Sequence, residues 1–192
     1  MSFLLNTGLF VFVGVLLIVL VSLGKNNSFI NITSIFSGYF AAFKGNRIRL
    51  TIFYLSPIII SFGIANYRTI SKEILDNINI VITIFLSIFF VMIDLIDNKT
   101  IGKIKEFNDV SDHSEQDIEI LKKETIDIIL VDSIYSVLYL FISFSIQFIG
   151  TDNKELSVLL YIISIMIYSI VLIVVVHLLI ILKRFRIILN YQ

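Results

Sequence analysis

From residue 156 to residue 182 the chain runs for 27 residues without Asp, Glu, Lys or Arg. An uncharged apolar run of about 18 residues or more reads as a membrane-crossing helix. A helix closes its own backbone hydrogen bonds, which lipid cannot satisfy. Four further apolar runs precede this one, over residues 3–23, 48–65, 78–96 and 126–149. Hydrophobic residues make up 57% of the 192-residue chain, against about 45–50% in globular domains. The longest polar stretch, 98–125, is too short to bury a core of its own. The expectation is one all-α membrane domain over 1–192, a multi-pass integral membrane bundle of five transmembrane helices. The first run has no Lys or Arg at its start and is too long for a signal-peptide core, so it reads as a retained helix.

The basic residues orient the bundle. With five passes and the N-terminus outside, 12 of the 15 Lys and Arg residues fall on the cytoplasmic side. The positive-inside rule therefore predicts an external N-terminus, a cytoplasmic C-terminus and a cytoplasmic segment over 98–125. Ile- and Asn-rich composition favours a bacterial inner (cell) membrane over another membrane. Over 28–43, Phe29, Ile32, Phe36, Tyr39, Phe40 and Phe43 share one helical face ahead of Lys44, Arg47 and Arg49. That pattern suits a helix lying in the membrane interface, or one packed against the bundle. Pro57 interrupts the second run and predicts a kink, either a hinge or a static bend. Ser114 and Asp117 form a helix-start signal. Charges four apart follow, so one continuous helix is predicted over about 115–149, with its first turns in the cytoplasm.

Polar residues inside apolar runs carry the functional signal. Asp132 lies past the last cytoplasmic charges of the fourth run, where a charge costs about 2.5–3.5 kcal/mol and so should face protein or water. At 100° per residue Asp132, Ser136, Tyr139, Ser143 and Gln147 form one narrow stripe. Asn79, Thr83, Ser87 and Asp94 form a second on the preceding run. In the fifth run Ser157, Tyr161, Ser164 and Tyr168 share a side, and His177 lies roughly opposite, facing another helix or subunit. Two readings stand for Asp132 with the stripes and His177: a proton or ion pathway or a switch whose protonation changes packing, or else a buried polar seam that anchors helices or subunits.

Several chemistries lack support. Zero net charge gives no electrostatic footing for nucleic acid. Without cysteine, disulfides and thiolate metal ligands are ruled out. The two histidines, His113 and His177, are far apart. HExxH, GxSxG, GxGxxG and P-loop motifs do not occur. No catalytic residue, cofactor or metal site is expected.

In size, in Ile/Asn/Lys-rich composition, in the scarcity of residues outside the cytoplasmic side and in the basic exit LKRFRIIL over 182–189, the chain resembles small multi-pass membrane proteins of bacterial antiphage and prophage loci, such as the membrane subunit of the Kiwa defence system. Five predicted passes differ from the four ascribed to that subunit. The resemblance implies an inner-membrane homo-oligomer that senses membrane perturbation and works with a cytosolic partner. The expected function is a non-enzymatic membrane sensor or scaffold. Its docking surface would comprise Lys44, Arg47, Arg49, Lys122, Lys123, Lys183 and Arg184. The alternative is an oligomeric pore or membrane-depolarising effector lined by the two stripes.

Overall fold

A computed structural model describes residues 14, 32–43, 47–98, 112–149 and 157–190. Five helices follow in order: α1 (Ile32–Ala42), α2 (Arg47–Tyr67), α3 (Lys72–Asn98), α4 (Asp112–Ile149) and α5 (Ser157–Asn190). The described chain is all-α, and α2 to α5 are each long and apolar enough to cross a membrane. The first expected helix, 3–23, lies outside the described residues apart from the helical Gly14.

Helix limits follow local chemistry more closely than hydropathy. α3 starts six residues before its apolar run because Ser71 caps it. The Ser71 hydroxyl accepts the Ile74 N–H at 3.4 Å, and Glu73 sits in the positive first turn. α2 continues through Pro57, whose ring is buried. α5 runs past its apolar stretch as far as Asn190, since Ile188 keeps the buried spacing going. α4 is a single helix of 38 residues, roughly 57 Å long. It exceeds the roughly 30 Å apolar thickness of a bilayer.

Sevenfold spacing organises the packing. Leu160, Ile167, Val174, Ile181 and Ile188 are buried along α5, and Leu75, Ile82, Phe89 and Ile96 along α3. Thr125, Asp132, Tyr139 and Ile146 mark the matching seam of α4. A strict seven-residue repeat keeps one stripe facing its neighbour when helices cross at a shallow angle. α4 and α5 form the central pair; α3 and α1 pack on α4, and α2 packs on α5.

Opposed contacts fix direction. Arg184 pairs with Glu124, and His177, seven residues earlier, meets Asp132, eight residues later. α4 and α5 therefore run antiparallel. Outer faces carry exposed Ile52, Ile59, Ile80, Phe90 and Leu179, which are compatible with lipid.

α1 is amphipathic but not merely interfacial. Tyr39 is fully buried in the bundle, while Phe40 on the same predicted face is half exposed. The helix comes this close because position 38 is glycine: any Cβ there would overlap the Asp127 carboxylate of α4.

Candidate functional site: a buried carboxylate, a histidine and three tyrosines

Four helices converge on the Asp132 carboxylate. α4 supplies Asp132 and Tyr135, α5 supplies His177, α1 supplies Tyr39 and α2 supplies Tyr54. Asp132 is wholly buried and His177 is 1% exposed. Counted along α4, Asp132 lies about 12 Å deeper than the Glu124–Arg184 pair. The His177 Nδ1 to Asp132 Oδ1 distance is 2.6 Å, short even for a charge-assisted hydrogen bond from nitrogen.

The other ring nitrogen fixes the tautomer. Nε2 lies 3.0 Å from the Tyr39 hydroxyl, and Tyr39 in turn accepts a hydrogen bond from Tyr54 at 2.9 Å. With its oxygen accepting from Tyr54, Tyr39 directs its own proton at Nε2. Nε2 is then the acceptor, and Nδ1–H donates to the carboxylate. Tyr54 has spent its proton on Tyr39, so Tyr135, 3.3 Å away, donates to Tyr54. The result is a one-way relay of donors, Tyr135 to Tyr54 to Tyr39 to His177, ending on Asp132 Oδ1. These proton positions follow from satisfying the network. Edge-on packing holds the rings: Tyr54 stands 5.9 Å from the imidazole at 83°, and Tyr39 lies 5.6 Å from it.

Such a chain suits a buried charge. A carboxylate in apolar surroundings is costly unless paired and hydrogen-bonded. Aligned hydroxyl dipoles stabilise negative charge at the end of the relay and polarise one another. Oδ2 of the same carboxylate, however, has no hydrogen-bond partner within the protein.

The two predicted stripes part company. Ser136, Tyr139 and Ser143 are buried with Asp132, whereas Gln147 is exposed. Asn79 is half-buried, but Thr83, Ser87 and Asp94 lie exposed on the outer side of α3. Thr83 donates to the Asn79 carbonyl at 2.7 Å and Ser87 to the Thr83 carbonyl at 2.9 Å. A hydroxyl satisfied by its own helix needs no neighbour, so these residues stand outside the buried seam.

The polar side of α5 has a structural task at the opposite end. Tyr161 donates to Asn66 Oδ1 at 2.7 Å, Ser164 accepts the Ile70 N–H at 2.9 Å, and Tyr168 donates to the Arg68 carbonyl at 3.1 Å. Together they hold the link between α2 and α3, where the Ile70 N–H and the Arg68 carbonyl are taken up by α5 side chains.

Of the expected docking residues, Lys123 and Lys183 are exposed and Lys122 is half-buried. Arg184 is committed to Glu124 at 2.7 Å. Lys44 and the side chains of Arg47 and Arg49 lie outside the described residues. Sequence reasoning did not assign Tyr39, Tyr54 and Tyr135 to the site. The available signal was the tyrosine hydroxyl itself, which seeks a partner when buried in an apolar helix. Among the described residues no His, Cys, Asp and Glu cluster could hold a metal ion. Comparison with protein-family models, with curated proteins and with solved structures gives no match for this chain.

Proposed function

We propose that the protein is a non-enzymatic membrane sensor or scaffold that docks a cytosolic protein partner. The observation that carries this reading is the continuity of α4. One unbroken helix joins the charged turns that start at Asp112 to the buried carboxylate at Asp132. A rigid helix transmits displacement along its axis, so a change at the buried network reaches the exposed turns. The Lys and Arg distribution supports placing those turns and the C-terminus in the cytoplasm, with the chain crossing a bacterial inner membrane several times. Exposed Lys123 and Lys183 lie at that end, each one residue from a member of the Glu124–Arg184 pair. The resemblance to small membrane proteins of antiphage loci, carried by composition and the basic exit over 182–189, implies a setting in antiphage defence.

The test is recovery of a soluble protein with the chain from bacterial membranes, before and during phage infection. A partner is expected to co-purify, to change in amount on infection, and to be lost from a Lys122→Glu, Lys123→Glu double variant of unchanged melting temperature. Equal recovery with the double variant removes the docking site. Recovery indifferent to infection removes the defence setting.

A second reading, an oligomeric pore or depolarising effector, draws on α3. Its exposed Thr83, Ser87 and Asp94 form a polar strip on an otherwise lipid-compatible surface. Conductance across planar bilayers separates the two readings.

A further inference from the structure

Among the described residues four buried side-chain atoms have no hydrogen-bond partner in the protein: Asp132 Oδ2, Ser136 Oγ, Ser143 Oγ and Asn79 Oδ1. Their placement is not scattered. Three belong to one stripe of α4, on which Ser136 follows Asp132 by four residues and Ser143 follows by seven more, with Tyr139 between. The fourth lies across the seam on α3. The Tyr139 hydroxyl reaches the Leu75 carbonyl at 3.5 Å, which sets those residues level. Asn79 is one turn from Leu75 on an antiparallel neighbour, and so lies level with Ser136.

Buried polar groups in folded proteins are satisfied by protein or by bound water, at a cost of about 1–3 kcal/mol when they are not. Residues three or four apart on a helix stand about 5–6 Å apart. That is the span of two hydrogen bonds meeting at a single water molecule. A carboxylate, two hydroxyls and an amide oxygen supply the several polar partners a buried water requires. Ser143 sits near enough to the Tyr139 hydroxyl to influence it, yet makes no hydrogen bond of acceptable geometry. A bridging water satisfies both.

The two sides of the carboxylate differ. Towards Glu124, α4 presents Ile128, Ile129 and Val131, all fully buried. The Thr125 hydroxyl is spent on the Leu121 carbonyl at 2.6 Å. On the Oδ1 side stands His177 from α5, with Tyr39 from α1 and Tyr54 from α2 behind it in the relay. In the other direction the stripe continues past Tyr139 and Ser143 to Gln147, which is exposed. On α3 the titratable side chain nearest this part of the seam is the exposed Asp76, close enough to Tyr139 for its charge to be felt.

We propose that a file of bound water molecules, starting at Asp132 Oδ2 and running along the α3–α4 seam past Ser136, Asn79 and Ser143 to Gln147, gives the buried carboxylate a proton path to the membrane face on which α4 ends. A water at Oδ2 passes one proton to the carboxylate, which becomes the neutral acid. Each water behind it passes one forward, and the aqueous phase at Gln147 supplies the net proton. Only O–H bonds break and form, and His177 keeps its hydrogen bond to Oδ1. This route lies within one subunit and does not depend on the docking of a partner.

The chain contains no cysteine, so single cysteines can be placed without background. Ser136→Cys, Ser143→Cys and Val131→Cys variants in oriented proteoliposomes are treated with silver ion, a thiol reagent of nearly the size of water. Lys123→Cys, labelled by an impermeant maleimide, marks the opposite face. Ser136→Cys and Ser143→Cys are expected to react at least tenfold faster than Val131→Cys, and only from the face opposite Lys123. Rates no faster than Val131→Cys, reaction from the Lys123 side, or reaction at Ser143→Cys alone each overturn the file. Should Ser136→Cys fail to fold, the unsubstituted protein decides the matter by high-resolution electron cryo-microscopy. Water density within hydrogen-bond distance of Asp132 Oδ2 and Ser136 Oγ supports the file, and direct protein contacts closing both atoms overturn it.

Discussion

The Asp132–His177 pair holds a charge that neither helix could carry alone. Removing one partner of a buried pair is worse than removing both, because it leaves the other desolvated and unpaired. His177→Leu is therefore expected to destabilise the protein by about 3–5 kcal/mol. Tyr39→Phe leaves Nε2 without a donor, and its expected cost is about 1–3 kcal/mol. Tyr135→Phe removes only the outermost, 3.3 Å link, for a cost of about 1 kcal/mol or less. Thermal unfolding in detergent should rank the three in that order. A Tyr135→Phe loss equal to that of His177→Leu would show that the relay does not end on the carboxylate.

Helix by helix, the sequence was an uneven guide, for physical reasons. The continuity of α4 was legible because mixed charges four apart lead straight into an apolar run, with no Gly or Pro between. The buried stripe of Asp132, Ser136, Tyr139 and Ser143 was legible because angular counting on one helix shows which residues share a face. The same counting cannot say what a face meets. It joined Thr83 and Ser87 to the seam although each is satisfied by its own helix. It set His177 opposite the polar side of α5 without identifying Asp132 as its partner. It also left α1 between lying in the interface and packing inward. Gly38 decides that case, through the space it leaves for Asp127. Gly38→Ala is expected to cost about 1–3 kcal/mol through overpacking. Asp127→Ala in the same chain should return most of that loss, as neighbours in contact do not act additively. A double variant whose loss is the plain sum of the single losses would show that α1 does not rest on Asp127.

Taken together, the helices leave a question of surfaces. α4 packs against α1, α3 and α5, and Asp132, Ser136, Tyr139 and Ser143 of its polar stripe are buried within the bundle. If copies of this chain surround a conducting axis, the lining must come from a surface that is still exposed. α3 supplies the polar one: Thr83, Ser87 and Asp94 fall within about 40° of arc. The seam of Leu75, Ile82, Phe89 and Ile96 fastens the other side of α3 to the bundle. The hydroxyls are already bonded to their own helix, so a lining of this kind would be weakly polar, with Asp94 as its charged ring. The pore reading therefore makes a demand of α3 and none of Asp132. In planar bilayers, purified protein should conduct cations above background. Asp94→Asn should lower that current several-fold, and a Thr83→Val, Ser87→Ala double variant should change it as well. Asp132→Asn should leave the current intact if the pore is intermolecular. A silent bilayer would remove the pore reading altogether, and a current that responds to Asp132→Asn and ignores Asp94→Asn would remove the α3-lined pore and move conduction to the inside of the subunit.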